Sequence, residues 1–309
     1  VDPHHHLWER PASTYSLNEL WGDTDSGHNI RKTVFLECGA SYREDGPEHL
    51  QCVGETEFVQ RLAAASEQGR ADQARIAGIV STANLASPRL DEILDAHEAA
   101  GDGLFKGIRH SGARDPHSEV LRIPGRASAG LYTSPEFRAG VARLGERGLT
   151  YDTWHYHHQN AEFAALAAAV PGTTMILDHF GTPLGVGPYA DQRESIFAAW
   201  KDDMARIAEC PNVVAKLGGL AMPDNGFGWH ERATPPSSDE FIEAQGRYYE
   251  HTIACFGAER CMFESNFPVD RWSLSYPVLW NAFKKIAAGY SESEQDAMFQ
   301  GTATRVYRL

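Results

Sequence analysis

Short apolar runs alternate, from end to end of this chain, with longer stretches whose apolar side chains return every three or four residues. The runs cover 32–38, 75–81, 104–109, 149–154, 174–178, 212–217 and 260–264, and the opening residues supply an eighth. They are rich in β-branched residues and bounded by Gly, Pro and Asn, as strands buried on both faces of a parallel sheet should be. Between them the spacing predicts helices over 55–70, 89–100, 135–147, 160–169, 191–209, 239–256 and 276–289. In 191–209, Ile196, Trp200, Met204 and Ile207 fall on one helical face. Ser291 with Glu294 has the spacing of a capping box that opens a final helix. Eight β/α alternations in 309 residues predict a (β/α)₈ TIM barrel, a single α/β domain over 1–309. A dinucleotide-binding sheet is disfavoured, because no G-x-G-x-x-G follows any strand.

Two stretches break the rhythm. Residues 111–133, after the fourth strand, and 219–238, after the seventh, are punctuated by Gly and Pro. Both follow C-terminal strand ends, the face where barrel enzymes carry their chemistry, so they are expected to be extended lid or specificity loops.

Charge narrows the partners. The chain carries 28 basic and 42 acidic side chains, a net charge of −14, with no basic cluster, so nucleic acid is not an expected partner. No apolar run reaches the roughly 18 residues of a membrane helix, so no membrane partner is expected either. The five cysteines form no C-x-x-C pair, which points to reduced thiols in a cytoplasmic protein rather than disulfides or a thiolate metal site. A homo-oligomer is compatible with this composition.

The candidate chemistry gathers at strand ends. His4 and His6 lie two apart, so on a strand both point one way, into the barrel mouth, while His5 points into the wall. Two converging imidazoles are half of a metal site or an acid/base pair. His179 ends an apolar strand ahead of a glycine turn. Arg109, a cation ending an otherwise apolar strand, should pair with a protein carboxylate or receive a substrate carboxylate or carbonyl. Lys216 is similar, and its mid-strand position also suits a structural ion pair. Around 151–158, Asp152 and Trp154 share one strand face and Thr153 and His155 the other, with His157 and His158 following. Trp154 and His157 are candidates for a pocket wall and His155 for a catalytic imidazole, and the family resemblance set out next implies a metal-binding role for His155 or His157.

Asp2, His4 and His6, followed by Leu7 and Trp8, resemble the first-strand signature of the amidohydrolase superfamily, and of its amidohydrolase-related lactonase and decarboxylase branch. Gly107, Arg109 and His110 match the branch's G-x-R-H. Asp178, His179, Gly181 and Pro183 match its D-H-x-G-x-P, and Lys216, Gly219 and Leu220 its K-x-S-G-L. The resemblance implies a mouth lined by His4, His6 and His179, which hold zinc or manganese if a metal is bound, and hydrolysis of a small carbonyl compound. It breaks at the eighth strand. The usual G-S-D-W-P becomes Glu264-Ser265-Asn266-Phe267-Pro268, with Asn266 where an aspartate binds metal or takes a proton. A neutral amide does neither well. The missing carboxylate must then come from Glu264 or Asp270, with Asp270 favoured, or the base is a histidine such as His179 or His155. Glu37 is a further carboxylate candidate.

Three readings follow. The first is a lactonase acting on a small, carboxylated or neutral cyclic ester, with Arg109, Lys216, Trp154, His157 and Asn266 around the substrate. The second is a metal-dependent, non-oxidative decarboxylase of an aromatic or muconate-type acid, which Asn266 disfavours. The third is a binding barrel without catalysis.

Overall fold

The computed structural model of the protein describes residues 1–309. Ten strands form: β1 (Asp2–His5), β2 (Trp8–Arg10), β3 (Ser13–Tyr15), β4 (Lys32–Leu36), β5 (Arg75–Ser81), β6 (Phe105–Arg109), β7 (Thr150–Thr153), β8 (Met175–Leu177), β9 (Val213–Leu217) and β10 (Cys261–Phe263). Eight of them make one parallel sheet in the order β1-β4-β5-β6-β7-β8-β9-β10. The sheet curls into a barrel whose seam lies just beyond the regular strands. There His5 bridges Phe267, His6 N–H donates to the Phe267 carbonyl (2.8 Å), and Asn266 N–H donates to the His4 carbonyl (2.9 Å). The seam therefore locks the candidate residues of the first and last barrel strands against each other.

Ten α-helices complete the fold: α1 (Leu17–Thr24), α2 (Val53–Ser66), α3 (Leu90–Gly101), α4 (Pro135–Glu146), α5 (Asn160–Ala169), α6 (Arg193–Ala208), α7 (Ser238–Phe256), α8 (Tyr276–Ala287), α9 (Glu292–Asp296) and α10 (Thr302–Tyr307). On α6, Ile196, Trp200, Met204 and Ile207 are all buried, as their spacing predicts. The Ser291–Glu294 capping box opens α9, and a π-helical turn at Ala297–Gly301 joins it to α10. Sequence reasoning missed the β2–β3 hairpin and α1. Three-residue strands are too short to show periodicity, and α1 is announced only by the Ser16–Glu19 capping box.

Strand pleating sorts the side chains of β8, β9 and β10 by parity. Ile176, Val214 and Met262 enter an apolar cluster with Val306 and Tyr307 of α10, which plugs the barrel bottom. Two residues further along the same strands come Asp178, Lys216 and Glu264, all buried and all engaged with one another or with the mouth histidines. A period of two thus puts an apolar layer beneath a charged one. The opposite parity, Val213, Ala215 and Leu217 on β9, packs outward against the helices.

Tyr307 links the layers. Its hydroxyl donates to Asp152 Oδ2 (2.5 Å), and the Lys216 ammonium lies 5.6 Å from its ring centroid. Lys216 is fully buried, with Nζ 2.9 Å from Asp152 Oδ2 and 3.1 Å from Asp178 Oδ1. Burial opposes the ammonium charge, but the two carboxylates outweigh it and raise its pKa. The sequence left Lys216 open as a substrate-binding residue. The structure puts it below the cavity in an ion pair, so that expectation is corrected. Removing the cation leaves two buried carboxylates without their counter-charge. Lys216→Met should cost about 3–5 kcal/mol in chemical denaturation. A loss under about 1 kcal/mol would show that the carboxylates are neutral without it.

Candidate active site

A cavity of about 590 Å³ opens at the C-terminal end of the barrel. His6, Glu37, Arg109, His179 and Asn266 reach it from the strand ends, Trp154 forms one wall, and Trp8 and Tyr15 of the hairpin another. The two irregular loops meet above it. Asp224, in the second loop, accepts from the backbone N–H groups of Arg122 (2.7 Å) and Ile123 (2.9 Å) in the first. Ile123 and Met222 of these loops line the cavity.

The buried carboxylate of Glu264 organises the floor. Its Oε1 lies 2.7 Å from His179 Nδ1, and its Oε2 approaches His4 Nδ1 to 2.5 Å. The His179 approach requires a proton between the atoms, and an ionised carboxylate can only accept. His179 therefore carries hydrogen on Nδ1 and a lone pair on Nε2, whereas His4 Nδ1 faces both Glu264 and the Lys216 ammonium, whose Nζ lies 3.3 Å away. Burial alone would raise the Glu264 carboxyl, but the two rings outweigh it and hold it at about 2. Glu264 is thus a weak base that is turned to the two rings and does not line the cavity, which argues against it as the group that takes a proton from water.

The three mouth histidines differ in what is left free. His4 lies deepest. Its Nε2 faces Arg109 Nη1 at 3.4 Å, so both its nitrogens are engaged, and burial holds its pKa well below the ordinary histidine value. His6 donates from Nδ1 to the Leu36 carbonyl (2.8 Å), and burial, then Arg109, keeps it neutral. For His179, burial lowers the pKa, but Glu264 outweighs it and the net shift is upward. Its Nε2 is free on a ring that lines the cavity. His4 sits centrally, with ring centroids 5.0 Å from His6 and 4.6 Å from His179. The three rings lie beside one another, but only those of His6 and His179 line the cavity.

Local backbone is bent to hold His179 there. His179 and Phe180 have φ of +53° and +58°, an uncommon conformation for residues with a side chain. A Cβ on Gly219 would fall 2.0 Å from His179 Nδ1, so only glycine at 219 lets this ring reach Glu264.

Asn266, also in the left-handed region at φ +54°, has its amide oriented by Asp270: Nδ2 donates to Asp270 Oδ1 (2.8 Å). Its Oδ1 then faces the Nε2 lone pair of His6 at 3.3 Å. Two acceptors facing each other make a place for a donor, such as a water or a substrate hydroxyl. Asp270 accepts from Ala221 N–H (3.2 Å) as well, and burial raises it to about 7. It lies behind Asn266 and does not line the cavity, although its neighbours Val269, Arg271 and Trp272 do, so the segment reaches the mouth without presenting this carboxylate to it.

Of the two partners expected for Arg109, the protein carboxylate is present. Nε donates to Glu37 Oε1 (2.8 Å), Nη2 to the Glu37 carbonyl (2.5 Å), and Nη1 lies 3.6 Å from Asp178 Oδ2. Burial works against its charge, but Glu37 and Asp178 raise the pKa net. Three of its five N–H groups are accounted for by Glu37 and His4, and two remain for the cavity it lines.

The 155–158 histidines are not brought to this floor. His155 lies behind the barrel wall, within hydrogen-bonding distance of Asn160 Oδ1 (3.0 Å) and Tyr132 Oη (3.2 Å). His157 accepts from Leu184 N–H (3.2 Å), and His158 contacts Asp115 (2.8 Å). The catalytic or metal role expected for His155 and the wall role expected for His157 are both corrected. Parity on β7 sends Asp152 and Trp154 inward and Thr153 and His155 outward.

Potential metal donors do collect. His4, Asp178 and His179 offer atoms within 4.8 Å of one another. Neither oxygen of the buried Asp178 has a hydrogen-bond partner, although Lys216 and Arg109 stand 3.1 and 3.6 Å away as counter-ions. All five cysteines are free, and no helix is long and apolar enough to cross a membrane.

Comparison with known proteins places this geometry. The profile of the Amidohydrolase family matches residues 1–309. An uncharacterized protein of Sinorhizobium fredii is 33% identical over 333 aligned positions, spanning 100% of this chain and 98% of its own. An L-fucono-1,5-lactonase of Burkholderia multivorans is 27% identical, spanning 100% of this chain and 96% of its own. An amidohydrolase from Burkholderia multivorans superposes with a TM-score of 0.77 at 24% identity in a crystal with bound HEPES. A second crystal, with bound zinc, gives 0.76 at 23%, and each spans 100% of this chain and 98% of that one.

Proposed function

Because this chain belongs to the amidohydrolase family and is a (β/α)₈ hydrolase, we propose that it opens a small cyclic ester, a lactone, to the hydroxy acid. The observation that carries this reading is the pairing of Glu264 with His179 at the cavity floor. It is a carboxylate–imidazole couple whose free Nε2 faces the space beside Arg109.

The attacking water donates one hydrogen to the acceptor pair of His6 Nε2 and Asn266 Oδ1 and the other to His179 Nε2, which takes it. The water oxygen bonds to the carbonyl carbon. The developing oxyanion is met by the two N–H groups that Arg109 keeps for the cavity. When the ring C–O bond breaks, protonated His179 returns the proton to the leaving alkoxide. Glu264 orients His179 and stabilises its cation without titrating, as an orienting carboxylate does behind a catalytic imidazole. Asn266 thus serves as a positioning acceptor in place of a base.

A divalent zinc or manganese would polarise the carbonyl and acidify water. The donor types suit one, but the protein's own cations already face them. Lys216 and Arg109 already stand at 3.1 and 3.6 Å from Asp178, and Arg109 faces His4 Nε2 at 3.4 Å. The carboxylates of Glu37, Asp152, Asp178 and Glu264 stand among these cations, so a dication meets competition from Lys216 and Arg109 for Asp178 and His4 rather than a field of unbalanced positive charge. The protein's own cations therefore supply the positive charge. The same crowding disfavours the decarboxylase reading, which needs a firmly held metal.

The test is a panel of lactones assayed before and after exhaustive chelation. Ring opening should persist at an unchanged rate. Activity lost on chelation and restored by zinc or manganese would overturn the metal-free mechanism, and no turnover of any lactone would overturn the reaction. Arg109→Lys should keep the fold but lose the forked geometry, lowering kcat by about 100-fold. Near-normal turnover with a lowered melting temperature would make Arg109 structural.

A further inference from the structure

Above its polar floor the cavity is walled by a belt of a different chemistry. The residues of this belt are buried or half-buried, and every side-chain donor among them is spent on the protein itself. Trp8 Nε1 donates to Ser13 Oγ (3.2 Å), Tyr15 Oη to Asp23 Oδ2 (2.8 Å) and Trp154 Nε1 to Thr182 Oγ1 (3.0 Å). Ser111 Oγ donates to the Trp154 carbonyl (3.1 Å), and Cys38 Sγ to the Leu7 carbonyl (3.4 Å). The rest of the belt, Ile123, Met222, Pro268 and Val269, has no side-chain nitrogen or oxygen. What is left for the cavity is ring, thioether and methyl surface. The rings are fixed by their own packing. Trp8 lies against Tyr15 with centroids 6.4 Å apart, and Trp154 against Tyr156 at 5.6 Å. Uncommitted side-chain donors return only on exposed residues of the rim, Arg10 and Thr14 among them, where water competes for them. The volume of about 590 Å³ also exceeds what a bare lactone ring needs, since cavities of roughly 300–1,000 Å³ enclose drug-sized ligands.

We propose that the natural substrate is a lactone carrying an aryl group, and that the belt selects it against polyhydroxylated lactones. This rests on the lactonase reading. The ester carbonyl goes to Arg109 on the floor, and the aryl group lies in the belt between the hairpin indole of Trp8 and that of Trp154. Enclosing the aryl group removes apolar surface from water on both partners. Aromatic walls reward a further aromatic ring beyond the area buried, and walls already fixed lose little freedom when it enters. A hydroxylated group in the same place gives up its water for walls that offer no side-chain partner, so each stranded hydroxyl counts against it. Selection thus comes as much from what the belt refuses as from what it holds.

The test uses two γ-lactones that differ only at the ring carbon bearing the ester oxygen, one carrying phenyl and the other 1,2-dihydroxyethyl. The wild type should favour the phenyl lactone by about 100-fold in kcat/KM, mostly through KM. Binding of the two ring-opened hydroxy acids is measured by calorimetry in parallel, and the phenyl acid should show the more negative heat-capacity change. Trp154→Ala should shrink the preference about 10-fold by raising KM for the phenyl lactone. Met222→Gln keeps the length of the side chain but adds an amide to the belt, and should shrink the preference about 10-fold by lowering KM for the dihydroxyethyl lactone. Equal turnover of the two lactones by the wild type, or a preference that both variants leave intact, would overturn the proposal while the lactonase reading stands. Tighter binding of the phenyl acid that Trp154→Ala abolishes, with neither lactone opened, would sustain the selectivity of the belt and overturn the lactonase reading. Neither turnover nor a difference in binding would overturn the two together.

Discussion

His179→Asn is expected to lower kcat by about 1,000-fold while leaving the melting temperature within a few degrees. Asparagine is the appropriate replacement because His179 sits at φ +53°, a conformation that asparagine tolerates better than most residues. Its side chain carries no basic nitrogen, so the proton of the attacking water has no acceptor on the floor. His6 does not substitute: burial and Arg109 hold its pKa well below the ordinary histidine range. Asp270 does not substitute either, since it lies behind Asn266. In the wild type, activity should fall as pH drops through the pKa of His179, since the base works only when deprotonated. Glu264 raises that pKa, so the acid limb should lie above the ordinary imidazole range. Retention of more than a tenth of wild-type kcat by His179→Asn would remove His179 from the base role. A bell whose acid limb is unchanged in the variant would do the same.

Glu264→Gln should be as damaging, about 1,000- to 10,000-fold in kcat, although the residue touches no substrate. Its Oε1 accepts from His179, and its Oε2 stands 2.5 Å from His4 Nδ1 as the facing charge. Glutamine has one acceptor and one donor. It can satisfy one ring, but its amide N–H₂ must then face the Nδ1 of the other. If that ring is His179, the tautomer inverts and Nε2 presents a hydrogen to the water instead of a lone pair. If it is His4, Nδ1 must accept, and Nε2 then points a hydrogen at Arg109 Nη1, now 3.4 Å away, and displaces the oxyanion donor. Loss of the negative charge also removes what raises the His179 pKa, so the acid limb of the residual activity should move to lower pH. A merely structural carboxylate would lower stability without moving that limb. Full activity with an unshifted profile would show that neither ring depends on Glu264. Glu264→Asp gives a separate check. It keeps the charge but shortens the reach by one methylene, and should recover the pH profile more than the rate.

Much of this arrangement is legible in the chain itself. The alternation of runs predicts eight barrel strands, and the observed ones lie within those bounds. Period two places Glu264 on an inward face and His5 in the wall, where His5 Nε2 lies 2.9 Å from Thr33 Oγ1. Parity also separates Asp152 and Trp154 from Thr153 and His155, but it cannot say which set faces inward. Lys216 decides that by pairing with Asp152 across 64 positions of chain. Histidine, being common to cores and sites alike, gave His155 and His157 a chemical promise that Tyr132, Asn160 and Leu184 absorb.

By itself, then, the order of residues determines what depends on neighbours along one strand or helix: the barrel, the strand ends, the inward and outward faces, and the presence of histidine, arginine and carboxylate at the mouth. Tertiary structure alone decides which acceptor each ring meets, and that sets its tautomer, its charge and its role. Glu264 becomes an orienter because His4 and His179 arrive from elsewhere in the chain to hold its pKa at about 2. Asn266 becomes an acceptor because Asp270 takes its amide hydrogen. Hydrogen bonding and charge depend on distances of a few ångströms, and only the closed barrel sets those.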